Sequence, residues 1–252
     1  MADTLETACA SAAWADELIV IDSGSTDATA DIAKRMADRY VLEPWRGYTE
    51  QKVFGCTLAK HDWIFILDGD EEITPALAHE IRHLSQAQLD QADLFEMPRL
   101  NYVMGLPVRA WLPDQQSRLI HRDRITWPDE ALHDRREASD PSRIKPLQGQ
   151  IHHKRTSQCG FADYFSGHRL DARLLLVAEQ MHEQGKRATL SDLFFRPIAA
   201  FVKFYFFKRG FMAGTFGLLI AQKAAVSVQL KYAALWAVQQ GKVAPVSGDH
   251  AK

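Results

Sequence analysis

The apolar run Trp63-Ile64-Phe65-Ile66-Leu67 passes directly into Asp68-Gly69-Asp70-Glu71-Glu72, and an earlier run, Leu18-Ile19-Val20-Ile21, passes into Asp22-Ser23-Gly24-Ser25-Thr26-Asp27. Short β-branched and aromatic runs closed by turn-forming residues read as buried strands. Between them, Ile32 and Met36 continue a helix, Tyr40-Val41-Leu42 reads as a strand ended by Glu43-Pro44, and Phe54, Leu58 and Ala59 fall near helical spacing within Tyr48 to Lys60. This β-α-β-α-β alternation predicts an α/β fold with these strands parallel in one sheet. Their carboxyl ends then share an edge, where open α/β sheets place ligands. Asp22, Asp68 and Asp70 are expected together on that edge. Thr74 reads as the cap of a following helix, with Pro75 in its first turn and Leu84 near its end.

Two carboxylates at i and i+2 around a glycine can converge on one hard cation. Magnesium and manganese take such oxygen ligands and share them with substrate phosphates, neutralising a diphosphate leaving group. A solvated helix-entry loop is the plainer alternative, since acidic residues favour a helix N-terminus. The strand before the turn and the edge shared with Asp22 favour the cation site.

The 252-residue chain, 46% hydrophobic, is long enough for one large domain or a domain with an appendage, and its formal net charge of −2 argues against a nucleic-acid binder. Its three cysteines, Cys9, Cys56 and Cys159, form no CxxC pattern, so a reduced, cytosolic protein without a disulfide framework is expected. The charge-free run Gly210 to Ala221 is too short to cross a bilayer. Composition changes near residue 190, dividing a sheet domain (1–190) from a helical tail (191–252). From Leu193 to Gly241 the chain holds Arg196, Lys203, Lys208, Arg209, Lys223 and Lys231 but no Asp or Glu, and it is rich in Phe. Arg196 and Lys203, seven apart, are expected to share a helix face. The mixture favours an interfacial helix on an anionic membrane, with a core hairpin or a dimer interface as the alternatives.

The segments "ELIVIDSGSTDATADIA" (17–33) and "WRGYTEQKVFGCTLAKHDWIFILDGDEEITPALAHEI" (45–81) resemble glycosyltransferase family 2, the inverting nucleotide-sugar enzymes of the GT-A fold. The pattern is most similar to the bacterial lipopolysaccharide inner-core β-1,4-glucosyltransferase group. The resemblance continues more weakly through "NYVMGLPVRAWLPDQQSRLIHR", "LHDRRE" and "IHH" to "KRGFMAG".

It implies a Rossmann-like, mostly parallel sheet and a UDP-sugar donor. Asp22 and Ser23 would lie at the nucleoside, with Gln51 and Lys52 near the donor pocket. Asp68 and Asp70 would form the DxD element, Asp70 being the better candidate for direct contact with Mg2+ or Mn2+. His153 would stand near the metal or diphosphate, and Arg118 by a phosphate. An inverting transfer also needs a base for the acceptor hydroxyl. "TWPDEALHDRRE" (126–137) offers Asp134, beside His133, with Asp129 the runner-up and Glu130 a further carboxylate.

Members of the family begin with an apolar strand ahead of the helix matched here by "ADTLETACASAAWADE" (2–17). The expected fold therefore lacks its first strand, and a start site assigned too far downstream is the expected explanation. The resemblance implies transfer of glucose to a lipid-linked core saccharide by a protein peripheral to the inner face of the cytoplasmic membrane. Two alternatives accompany this reading. One is an inactive, truncated homologue acting as a membrane scaffold. The other is a haloacid dehalogenase-type phosphohydrolase, for which Glu72 stands where Thr or Val is usual and the motif is not on the first strand.

Overall fold

A computed structural model describes residues 2–127, 136–154 and 170–242. These form two compact units, one of residues 1–107 and 112–158 and another of residues 108–111 and 159–252.

In the first unit, helix α1 (Ala2–Ala12) precedes β1 (Ile19–Asp22), α2 (Thr29–Met36), β2 (Arg39–Leu42), α3 (Tyr48–Leu58) and β3 (Trp63–Phe65). The predicted alternation is present. β1 and β2 pair in parallel, from Ile19 opposite Arg39 to Asp22 opposite Leu42, as a sheet of their own. The expectation of one parallel sheet through all three strands is corrected by β3, which pairs antiparallel with a later strand, Trp63 opposite His121.

The reason lies in residues 94–153, whose mixed character hides most of the main sheet. After β4 (Glu71–Ile73), α4 (Pro75–Arg82) and α5 (Gln86–Asp90), the chain forms β5 (Leu94–Val103), β6 (Leu106–Pro107), β7 (Gln115–His121), the β8–β9 pair (Ile125–Thr126 and Glu137–Ala138), β10 (Ile144–Pro146) and β11 (Ile151–His153). The main sheet runs β3-β7-β5-β11-β4, with β6 and β10 also paired to β5. β5 is antiparallel to β7, with an irregularity between Phe95 and Glu96, and parallel to β11. Thr74 caps α4 as expected, accepting from the Leu77 amide.

Buried Ile73, Leu77, Phe95, Met97, Leu119, Leu147 and Ile151 form the main core, to which α1 adds Ala12. Nearer its N-terminus the same buried stripe of α1, Leu5 and Cys9, packs on Ile32 and Ala33 of α2. Ser11 Oγ also accepts from the Ile73 amide at 3.0 Å, satisfying a donor on β4. Cys56 of α3 packs with Ile66, Leu94 and Ile120.

The register across β4, β11 and β5 positions the site. Residues directly opposite one another on paired strands share a face. His153 lies opposite both Glu71 and Asn101, so a carboxylate, an imidazole and an amide form one row.

The second unit contains α6 (Leu170–Glu183), α7 (Leu190–Val202) and α8 (Gly214–Gln239). Thr189 and Asp192 form a capping box at the start of α7. Ala178, Tyr232 and Leu235 are buried together, with Met181, Leu193 and Val228 packed around them. The composition change near residue 190 falls inside this unit, because Glu179 and Glu183 lie on α6. Arg196 is engaged within this unit: its Nε donates to Asp192 at 2.5 Å and its guanidinium covers the Tyr232 ring at 4.8 Å. By length and composition Gly210–Gln239 is long and apolar enough to cross a membrane. The charge-free run understated this helix because Lys223 and Lys231 interrupt the run without making the helix polar.

Candidate active site

Helix α3 links the two acidic turns. It begins at Gly47, whose φ of 112° and ψ of 163° lie in a region open essentially only to glycine. That turn sets Gln51 and Lys52 on adjacent positions of α3, with different partners. Gln51 is buried, and its Nε2 donates to Ser23 Oγ at 3.3 Å and to the Glu43 carbonyl at 3.4 Å, while its Oε1 accepts from the Arg46 amide at 3.2 Å. Lys52 Nζ contacts Asp68 Oδ1 at 2.9 Å. Adjacent residues of one helix thus reach the DSGSTD turn and the DGDEE turn.

Asp22 is buried at the end of β1. Its Oδ1 accepts from the Ser25 amide at 3.0 Å and the Ser25 hydroxyl at 2.6 Å, and its Oδ2 accepts from the Tyr40 hydroxyl at 3.0 Å. Burial pushes its carboxyl up, but these bonds, Ser25 first, outweigh burial and hold it below the usual range. The aspartate therefore shapes the turn, leaving Ser23 exposed at its tip.

Asp68 accepts from Arg118 Nη2 at 2.7 Å through Oδ2, in addition to its contact with Lys52. Its carboxyl, raised by burial, is lowered further by Arg118 and then Lys52, and lies well below the ordinary aspartate range. Arg118, itself buried, also donates from Nη2 to Glu71 Oε1 at 2.6 Å. Glu71 is only 1% exposed, receives Arg99 Nη1 at 3.1 Å and accepts from the Asp68 amide at 3.2 Å. One buried carboxylate thus anchors two guanidinium groups and the turn's own backbone. A buried charge is tolerable only with such compensation.

Asp70 faces His153, with Nε2 at 3.2 Å from Oδ2. The other ring nitrogen, Nδ1, is 2.8 Å from Asn101 Oδ1. The amide orientation follows from its second contact, because Asn101 Nδ2 donates to Asp114 Oδ2 at 2.8 Å. Asn101 Oδ1 is therefore an acceptor and Nδ1 carries the ring proton. Nε2 and the Asp70 carboxylate then face each other as two acceptors, which requires a cation between them: a proton on Nε2 or a metal ion. This donor set fits a divalent cation that takes one carboxylate, one imidazole and oxygens from a diphosphate. Among the described residues no three His, Cys, Asp or Glu side chains form a metal group, in keeping with Asp68 being ion-paired to Lys52 and Arg118.

Arg99, Asn101 and Asp114 carry much of this network without having been expected from sequence. Asp114 receives Arg99 Nε at 3.0 Å, Asn101 Nδ2, and Gln116 Nε2 at 2.8 Å. A readable signal exists: Arg99 and Asn101 alternate with apolar residues on a strand, on the face that includes Met97. The structure thus gathers Lys52, Asp68, Asp70, Arg118 and His153, and α3 joins Gln51 and Ser23 to them. Asp129, Glu130, His133 and Asp134 lie outside the described residues, although Trp127 and Arg136 on either side are described and stack as a cation–π pair at 5.1 Å.

The model for the glycosyl transferase family 2 matches residues 1–130. Among curated relatives, the lipopolysaccharide core biosynthesis glycosyltransferase LpsC of Rhizobium meliloti is 29% identical over 238 residues, covering 87% of this chain and 82% of that protein. An uncharacterized glycosyltransferase of Rickettsia bellii is 46% identical over 74 residues, which is 29% of this chain but only 25% of the relative's length. Among solved structures, S. aureus TarS 1-349 is similar at a TM-score of 0.42 and 14% identity, with 95% of this chain and 88% of that one covered.

Proposed function

The chain belongs to glycosyltransferase family 2, and from that premise we propose that it transfers glucose from UDP-glucose, with inversion, to a lipid-linked saccharide of the lipopolysaccharide core. The observation that carries this reading is the convergence of Asp68, Asp70, Lys52, Arg118 and His153 at the ends of β3 and β11. Two carboxylates among three basic groups suit a nucleoside diphosphate bound together with a cation. The LpsC relative, matched along most of both chains, supports the choice of a core saccharide as acceptor.

In this reading Asp70 and His153 hold Mg2+ or Mn2+, which when bound offsets negative charge on the departing diphosphate. Lys52 and Arg118 add two further positive charges at Asp68. Gln51 fixes Ser23, which meets the nucleoside, and Asp22 holds that turn in shape. The acceptor oxygen attacks the anomeric carbon on the face opposite the diphosphate as the carbon–oxygen bond to UDP breaks. Asp134, with Asp129 as the second candidate, takes the hydroxyl proton. We assign the protein to the cytoplasmic face of the membrane, where its helical unit meets anionic lipid.

The test is thermal unfolding with UDP, UDP-glucose and other nucleotide sugars, each with and without Mn2+. A ligand at about a hundred times its dissociation constant adds roughly 2.7 kcal/mol of stability. Manganese-dependent stabilisation by UDP, ranked highest for UDP-glucose, is the expected result. A folded protein indifferent to every nucleotide would overturn the reading in favour of a scaffold.

A further inference from the structure

The turn between α7 and α8 exposes large apolar side chains. Phe206, Phe207, Phe211 and Met212 are 55%, 79%, 49% and 71% exposed. An exposed cluster of this kind marks an interaction surface, and the backbone beneath it is firmly built. A π-helical turn, Lys203–Phe207, leads to Arg209 at a φ of 55°, a left-handed conformation that non-glycine residues seldom adopt. The chain then packs so closely that a Cβ on Gly217 would lie 1.8 Å from the Gly210 carbonyl oxygen. Tyr205 braces the rings, stacking on Phe201 at 5.3 Å and meeting Phe206 edge-on at 5.1 Å. The fold therefore spends backbone strain to hold aromatic side chains outward.

Charge identifies the occupant. Lys203, Lys208 and Arg209 stand in and beside this turn, and no Asp or Glu occurs from Leu193 to Gly241. A second copy of the same patch would set these cations against their own kind, which is unfavourable for a symmetric interface. Aromatic rings with flanking cations instead suit the boundary of an anionic bilayer, where rings enter the acyl region and basic groups remain among phosphates.

We propose that the Lys203–Ala213 turn is an insertion tip for anionic membranes. Phe206, Phe207, Phe211 and Met212 enter the bilayer boundary, and Lys208 and Arg209 contact lipid phosphate. This deepens the membrane placement proposed above and rests on it.

The test is co-sedimentation of the full chain with vesicles of phosphatidylcholine alone or mixed with phosphatidylglycerol. Two double variants, Phe206→Ser with Phe207→Ser and Lys208→Glu with Arg209→Glu, are compared with the parent, and circular dichroism and nucleotide-dependent thermal shifts verify their folding. The parent is expected to bind the anionic vesicles, less tightly as salt rises, and each double variant to bind at least about tenfold more weakly. If the parent binds no vesicle, both the membrane placement and the tip are overturned. If parent and variants bind equally, the placement survives and the tip does not. Concentration-dependent dimers abolished by the Phe substitutions, with vesicle binding unchanged, would make a second copy the occupant and overturn the proposal.

Discussion

His153 Nε2 stands 3.2 Å from Asp70 Oδ2, and the proton that would make this an ordinary hydrogen bond is directed away, toward Asn101, in the neutral ring. In the function proposed above, this pair holds the cation. Asp70→Asn or His153→Ala should abolish the manganese-dependent part of UDP stabilisation. Asn101→Leu, which removes the group orienting the ring, should weaken apparent manganese affinity by about 10- to 100-fold. Titration of manganese against the UDP-bound thermal midpoint reads both effects, and an unchanged midpoint in Asn101→Leu would separate the ring's orientation from metal binding.

Glu71 is a different kind of carboxylate, because Arg118 remains buried when it is removed. Glu71→Leu should cost about 1–3 kcal/mol in urea unfolding, because the Asp68 amide loses its acceptor while Arg118 and Arg99 each keep only a second carboxylate, Asp68 and Asp114. Adding Arg118→Leu should recover part of that loss while eliminating nucleotide binding. A Glu71→Leu protein as stable as the parent would deny the pair its structural role.

Asp22 should give a pH-dependent contribution to stability. Its carboxyl is lowered in the fold, so its stabilisation is present above the unfolded value of about 4 and is lost as pH falls through the lower folded value. The parent should therefore exceed Asp22→Asn in stability near neutral pH, and the gap should close below about pH 4. A gap that stays constant with pH would mean that shape alone, without charge, holds the turn.

The base is tested by separating donor binding from transfer. Asp134→Asn should retain UDP-dependent thermal stabilisation and lose transfer by about 10²-fold or more, the scale of general-base catalysis. Full activity in that variant, with loss in Asp129→Asn, would move the role to Asp129.

Gly47→Ala should cost about 1–3 kcal/mol, because a side chain is strained at a φ of 112°. It should also weaken UDP binding, since both Gln51 and Lys52 depend on where α3 starts. Isothermal titration beside urea unfolding would detect both changes; loss of stability with unchanged UDP affinity would confine the glycine to a folding role.

Local pattern made much of this site legible. Apolar runs ending in acid located β1 and β3, and glycine-spaced carboxylates singled out Asp68 and Asp70. What escaped was nonlocal. The pairing of β3 with β7 is invisible in either segment, because antiparallel partnership depends on a strand that begins fifty residues later. Arg99, Asn101 and Asp114 gain their meaning only when β11 aligns His153 with Asn101. The tail was readable as aromatic and basic, yet Arg196 belongs to the packing with Tyr232, a distinction that composition cannot make.

Four residues beyond Lys52, on the same helix, Cys56 is packed against Ile66, Leu94 and Ile120. Its sulfur becomes reachable only when α3 lifts from that core. The protein thus carries an internal reporter: the speed at which a thiol reagent modifies Cys56 measures how often the helix joining the two acidic turns comes loose, and a nucleotide gripping those turns should slow that clock.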